Sequence, residues 1–137
     1  MNRTLLTKQL LLHEGLRLKP YQDATGHWTI GVGRNLTDHG ISEDEARMLL
    51  DNDITATFQA CTIRIPCFGS LDDDRQAVLV DMAFNLGMDG LLQFRQMLAA
   101  VEARDFERAG DAMLQSAWAK QVGQRAIDLS LQMKGSS

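Results

Sequence analysis

His13–Gly33, HEGLRLKPYQDATGHWTIGVG, is the stretch whose reading decides the fold, because the apolar period changes inside it. Just upstream, Arg3 to His13 has Leu6 and Leu10 at helical spacing, and Gly15 stands where a left-handed terminating residue belongs, so Glu14 closes a helix. Downstream, His27 to Gly33 alternates. Trp28, Ile30 and Val32 fall on one face, and Thr29, Gly31 and Gly33 on the other, which predicts a strand with one bare side. Between them, Asp23-Ala24-Thr25-Gly26 has Asp first and Gly fourth, as a type I turn prefers. The stretch therefore predicts a short helix leading into a small hairpin or sheet.

Working outward, Ile41-Ser42-Glu43-Asp44-Glu45-Ala46 reads as a helix start, with Ser42 and Glu45 as a capping box and Ile41 with Ala46 as a staple. Ala46, Leu49, Leu50, Ile54, Phe58 and Cys61 carry that helix until Pro66 makes continuation unfavourable. After Ser70 and the acidic run Asp72 to Asp74, Leu71 to Leu86 is apolar almost all round, which predicts the buried centre of a helical lobe. Gly90 to Ala103, Phe106 to Ser116 and Gln121 to Met133 read as shorter amphipathic helices packed around it, and Lys134 to Ser137 as a loose tail. The expected architecture is α+β and mostly helical: one domain over 1–137. Its N-terminal lobe of about 14–60 holds a small antiparallel sheet, a long helix connects, and the helical lobe comprises about 1–13 and 61–134.

Composition narrows the function. A chain of 137 residues that is 45% hydrophobic and 23% charged, with two prolines, fits one globular domain rather than a disordered or fibrous chain. Its net charge of -4 supplies no basic stripe for a phosphate backbone, which argues against nucleic acid as a partner. The leucines near the N-terminus are interrupted by Lys8 and Gln9, with no small-residue cleavage site after them, so neither a signal nor a stable membrane association is expected. Cys61 and Cys67 are expected as free thiols, with a small-loop disulfide left open. His13, His27 and His39 lie far apart and form no zinc-type spacing, so no metal or cofactor is implied.

Candidates for chemistry collect where the first helix meets the sheet. Glu14 lies at a helix C-terminus, facing the negative end of the macrodipole, a setting that suits a proton donor as well as an ordinary solvated helix end. Asp23 either caps its own turn or activates a water, and the two roles are compatible. Thr29 is an ordinary strand residue or the hydroxyl that holds that water, with Gly31 and Gly33 leaving room for a sugar ring.

These residues carry a family resemblance. His13-Glu14-Gly15-Leu16-Arg17-Leu18-Lys19, Tyr21, Asp23, Gly26 and Thr29-Ile30-Gly31-Val32-Gly33 resemble the phage-type lysozymes, the class that includes the endolysin of the T-even bacteriophages, with the Glu, Asp and Thr at the family's separations. The likeness continues through Ile41–Asp53, Ser70–Gly87 and Phe94–Arg125. It implies a bacteriolytic glycoside hydrolase, a muramidase that cleaves the β-1,4 bond between N-acetylmuramic acid and N-acetylglucosamine with inversion. Glu14 resembles the general acid, Asp23 the base or electrostatic partner, and Thr29 the residue that positions water.

The same resemblance places Phe84 and Asn85 at a saccharide-facing helix end, with core packing as the plain alternative for Phe84. Asn35 stands at another of the family's saccharide-contact positions, beside Gly33. Arg125 matches the arginine that pairs with the catalytic glutamate. Arg34 stands where the family's best-known member has a histidine paired to an aspartate; Asp53 matches that aspartate, so an Arg34–Asp53 pair is expected. Implied partners are peptidoglycan glycan strands and a separate holin-type pore. The chain is expected to be a monomer made in a host cytoplasm and to act on the periplasmic wall after release. Two rival readings are a lytic transglycosylase, which needs no activated water, and a non-catalytic peptidoglycan-binding module.

Overall fold

The computed structural model describes residues 1–135; the last two residues of the expected tail lie outside the described residues. The chain forms two compact units, 1–49 and 50–137. The division falls inside the long helix rather than near residue 60, and the N-terminal helix belongs with the sheet.

In the first unit, α1 (Arg3–Glu14) is capped by Asn2, whose side chain accepts from the Leu5 N–H. It ends at Gly15, at φ +76°, whose N–H donates to the Leu11 carbonyl. Strands β1 (Arg17–Gln22), β2 (Trp28–Gly31) and β3 (Arg34–Asn35) form an antiparallel sheet in sequence order. Tyr21 pairs with Thr29 and Gln22 with Trp28, but the register shifts between Arg17 and Tyr21. Pro20, which has no N–H to give the ladder, lies in that interval. β2 stops at Gly31, earlier than the alternation predicts. Gly31, paired with Arg17, ends β2, and Gly33 lies in the tight connection into β3 rather than on a bare strand face; both adopt positive φ, at +68° and +72°.

The long helix α2 (Glu43–Arg64) begins with the expected capping box: Glu45 N–H donates to Ser42 Oγ, and Ser42 N–H donates to Glu45 Oε1. In the second unit, α3 (Asp73–Leu92) starts under Asp72, whose side chain accepts from the Arg75 N–H. Ser70 instead turns its hydroxyl to the Cys67 carbonyl, so the cap is Asp72. Gly87, at φ +75° and ψ 161°, breaks α3 one residue after the apolar run ends. Then come α4 (Arg95–Glu102), α5 (Phe106–Leu114), α6 (Ala117–Val122) and α7 (Gln124–Lys134). The short α6 was absent from the sequence reading, which placed a single helix over this region from Gln121. Gly123, at φ +60°, separates α6 from α7.

Val78, Leu79 and Met82 of α3 are fully buried with Val101, Met113 and Met133, and this apolar cluster is the centre of the second unit. At Gly110 the helices α5 and α7 approach so closely that a Cβ would lie 2.7 Å from Lys134 carbons and 3.0 Å from the Ser130 carbonyl oxygen. Ser130 Oγ donates to the Gly110 carbonyl across the same contact. Cys61 and Cys67 are free thiols, and burial pushes both above the ordinary thiol range. Among the described residues no single helix is long and apolar enough to cross a membrane.

Candidate active site

Three of the predicted residues, Glu14, Asp23 and Thr29, belong to the first unit. Glu14 is the last residue of α1, and its carboxyl rests on Gly33: a Cβ there would sit 2.9 Å from Glu14 Oε2. Gly33 is favoured by its positive φ, and the Glu14 carboxyl takes the space that a β-carbon would fill.

Asp23 begins a β-turn closed by the Gly26 N–H on the Asp23 carbonyl at 3.0 Å. Its Oδ1 accepts from the backbone N–H of Thr25 and of His27, each at 2.9 Å, and lies 2.8 Å from Thr25 Oγ1. These donors hold the Asp23 carboxyl below the usual aspartate range, the His27 N–H contributing most and the Thr25 hydroxyl next. Turn capping therefore produces a fixed, ionised carboxylate.

Thr29 is buried, and its hydroxyl donates to the His27 carbonyl at 3.0 Å. That carbonyl also accepts from the Asp23 N–H at 2.9 Å. His27 therefore ties Asp23 and Thr29 together, a role that sequence reasoning missed. A histidine without metal-ligand spacing gives no signal of a backbone hub; only the hairpin register reveals it.

The other candidates have structural partners. Arg34, expected on Asp53, places Nη1 2.7 Å from Glu45 Oε1 and donates to the Gly40 carbonyl as well. The capping box explains this choice, because it already presents Glu45 Oε1 at the start of α2. Arg34 and then Ser42 bring the Glu45 carboxyl down to about 2. Asn35 uses both ends of its amide on Asp38, accepting from its N–H and donating to its Oδ2.

In the second unit, Arg125, expected on Glu14, forks onto Asp81 Oδ1 through Nε at 2.9 Å and Nη2 at 2.6 Å. Asn85 accepts from Trp118 Nε1 at 2.8 Å. Phe84 is 46% exposed and lines an apolar groove of about 460 Å³ with Leu50, Ile54, Phe58, Val80 and Arg125, so plain core packing does not describe it.

Comparison with known proteins agrees with this frame. The family described as phage lysozyme matches residues 12–132. The chain is 30% identical to the pre-baseplate central spike protein Gp5 of Enterobacteria phage T4, an alignment taking in 92% of this chain but only 27% of that protein, about a quarter of its length. It is 23% identical to probable T4-type lysozyme 1 of Dictyostelium discoideum, covering 82% of this chain and 84% of the relative. It is 29% identical to an endolysin of Acyrthosiphon pisum secondary endosymbiont phage 1, covering 82% and 77%. With Glu14, Asp23 and Thr29 all inside a match that runs over nearly the whole sequence, the chain belongs to the phage lysozyme family.

Proposed function

We propose that this protein hydrolyses the β-1,4 bond between N-acetylmuramic acid and N-acetylglucosamine in peptidoglycan, with inversion, and that Glu14, Asp23 and Thr29 carry the reaction. The observation that supports it best is the contrast between the two carboxyl groups. Asp23 is held by two backbone N–H groups and the Thr25 hydroxyl, so it stays ionised. Among the described residues no donor cradles Glu14, whose carboxyl lies against the bare backbone of Gly33.

In this reading Glu14 donates its proton to the glycosidic oxygen as the bond from C1 to that oxygen breaks. A water attacks C1 from the opposite face and passes its proton to Asp23. The Thr29 hydroxyl, already donating to the His27 carbonyl, has its oxygen lone pairs left to accept from that water. In the second unit, considered by itself, Phe84 offers an exposed aromatic face to a sugar ring. Gly33 and Asn35 shape the sheet around Glu14, Asp23 and Thr29.

Mass analysis of digested peptidoglycan tests the proposal, with reducing muramic acid ends as the expected product. Glu14→Gln is expected to lower the rate by about 10²- to 10⁴-fold with folding intact, as for loss of a general acid. Anhydro-muramic ends would favour a transglycosylase, binding of peptidoglycan by the parent without any cleavage would favour a binding module, and full lysis by Glu14→Gln would remove Glu14 from the reaction. The fixed Asp23 carboxylate argues for hydrolysis, since a transglycosylase has no water to activate.

A further inference from the structure

We propose that His27 is a positioning residue for Asp23, acting through the one hydroxyl proton of Thr25. The inference rests on the reading of Asp23 as the carboxylate that activates water.

Thr25 Oγ1 lies 2.8 Å from Asp23 Oδ1 and 2.6 Å from His27 Nδ1. A hydroxyl has a single hydrogen and serves only one acceptor at a time. When Nδ1 carries a proton, it donates to Thr25 Oγ1, and the threonine hydrogen goes to Asp23. When Nδ1 is bare, it takes the threonine hydrogen, and Asp23 keeps only the N–H groups of Thr25 and His27.

The other ring nitrogen biases this choice. Nε2 lies 3.5 Å from Asp38 Oδ2, in the turn after β3, and Asp38 is itself held by Asn35. Two carboxylates therefore face the ring: Asp38 at Nε2, and Asp23, whose Oδ2 is 3.7 Å from Nδ1. An imidazolium donates on both sides at once. A neutral ring protonated at Nε2 keeps Asp38 and releases Asp23 from its third hydrogen bond. The relay therefore reverses when the ring passes between its charged and neutral forms. Loss of the third bond frees the carboxylate to swing, which affects kcat rather than KM.

The test uses the whole protein and two readouts. In the first, the carboxyl carbon shift of Asp23 is followed by NMR through the titration of the His27 ring. A step in Asp23 that tracks the ring is expected, shrinking by at least half in Thr25→Val, where only the direct charge effect remains. No step in the parent, or a step of the same size in Thr25→Val, overturns the relay.

In the second, kcat on peptidoglycan is measured against pH. Thr25→Val is expected to lower kcat about tenfold on the acid side of the ring transition seen in the first readout, the size of one hydrogen bond to a charged group, with KM unchanged and a smaller deficit on the alkaline side. His27→Asn, whose amide donor does not titrate, is expected to retain activity and lose the histidine-dependent inflection. Profiles of both variants parallel to the parent would overturn the proposal. An Asp23 step that behaves as expected in a protein that hydrolyses no peptidoglycan would leave the relay standing and sink the proposed function instead.

Discussion

Among the described residues of 1–49, Thr29 alone is buried, and the unit is organised by the Asp23 turn, the Asn35–Asp38 turn, the Ser42–Glu45 capping box and four positive-φ glycines after Gly15. In 50–137, by contrast, Val78, Leu79, Met82, Met97, Met113 and Met133 are fully or almost fully buried in one apolar cluster. The first unit is thus held by directed polar bonds and the second by undirected burial. The proposed chemistry lies with the directed bonds, because a carboxylate must be aimed to within a fraction of an ångström, whereas a methionine needs only to fill space.

Substitutions can break this contrast. The largest loss of stability is expected in the second unit: Leu79→Ala removes a fully buried side chain and is expected to cost about 3 kcal/mol in a urea melt, with peptidoglycan turnover of the folded fraction unchanged. A cost under about 1 kcal/mol would mean that the cluster collapses around the cavity.

Gly33→Ala comes next in stability, about 1 to 2 kcal/mol for a β-carbon at positive φ. Its effect on activity should be far larger. The new methyl displaces the Glu14 carboxyl, and about a 100-fold fall in kcat is expected from misplacing a proton donor. Equal losses of stability and activity would contradict the idea that Gly33 serves the carboxyl.

Ser42→Ala should cost about 1 kcal/mol, the ordinary value of a lost N-cap, without touching kcat. The smallest effect sharpens the electrostatic side. The Glu45 carboxyl falls from 4.5 to about 2 in the folded protein, so its contribution to stability is complete above pH 4.5 and is lost as pH falls through about 2. The melting temperatures of the parent and Glu45→Gln are therefore expected to differ at pH 6 and to converge near pH 2. A gap that persists at pH 2 would show that the charge is not responsible.

Much of this was legible in advance, at particular residues. Gly15 ends α1 as its position implies, the Ser42–Glu45 box opens α2 as its spacing implies, and the apolar run to Leu86 is the core helix. The Asp23–Gly26 turn also forms as read. The misreadings share one cause. Arg34 was expected on Asp53 and Arg125 on Glu14, yet they bond Glu45 and Asp81. Arg34 meets the carboxylate that the capping box presents and Arg125 the carboxylate of Asp81 on α3, and a family resemblance does not encode which acceptor the fold brings to an arginine. Gly33 falls in the connection rather than on the strand because alternation does not report the sign of φ, and α6 was missed because six residues are too few to show a period.

What the amino-acid order determined by itself was local: where helices start and stop, which turn Asp23 begins, and the separations of Glu14, Asp23 and Thr29 that identify the family. Those features depend on neighbours within a few residues, so they survive without knowledge of the rest of the chain. Only the tertiary structure decided that His27 joins Asp23 to Thr29, that the Glu14 carboxyl occupies the space above Gly33, and which acceptor each arginine takes. Each of these is a contact between segments whose distance is set by strand register and helix packing, quantities that belong to the folded chain as a whole.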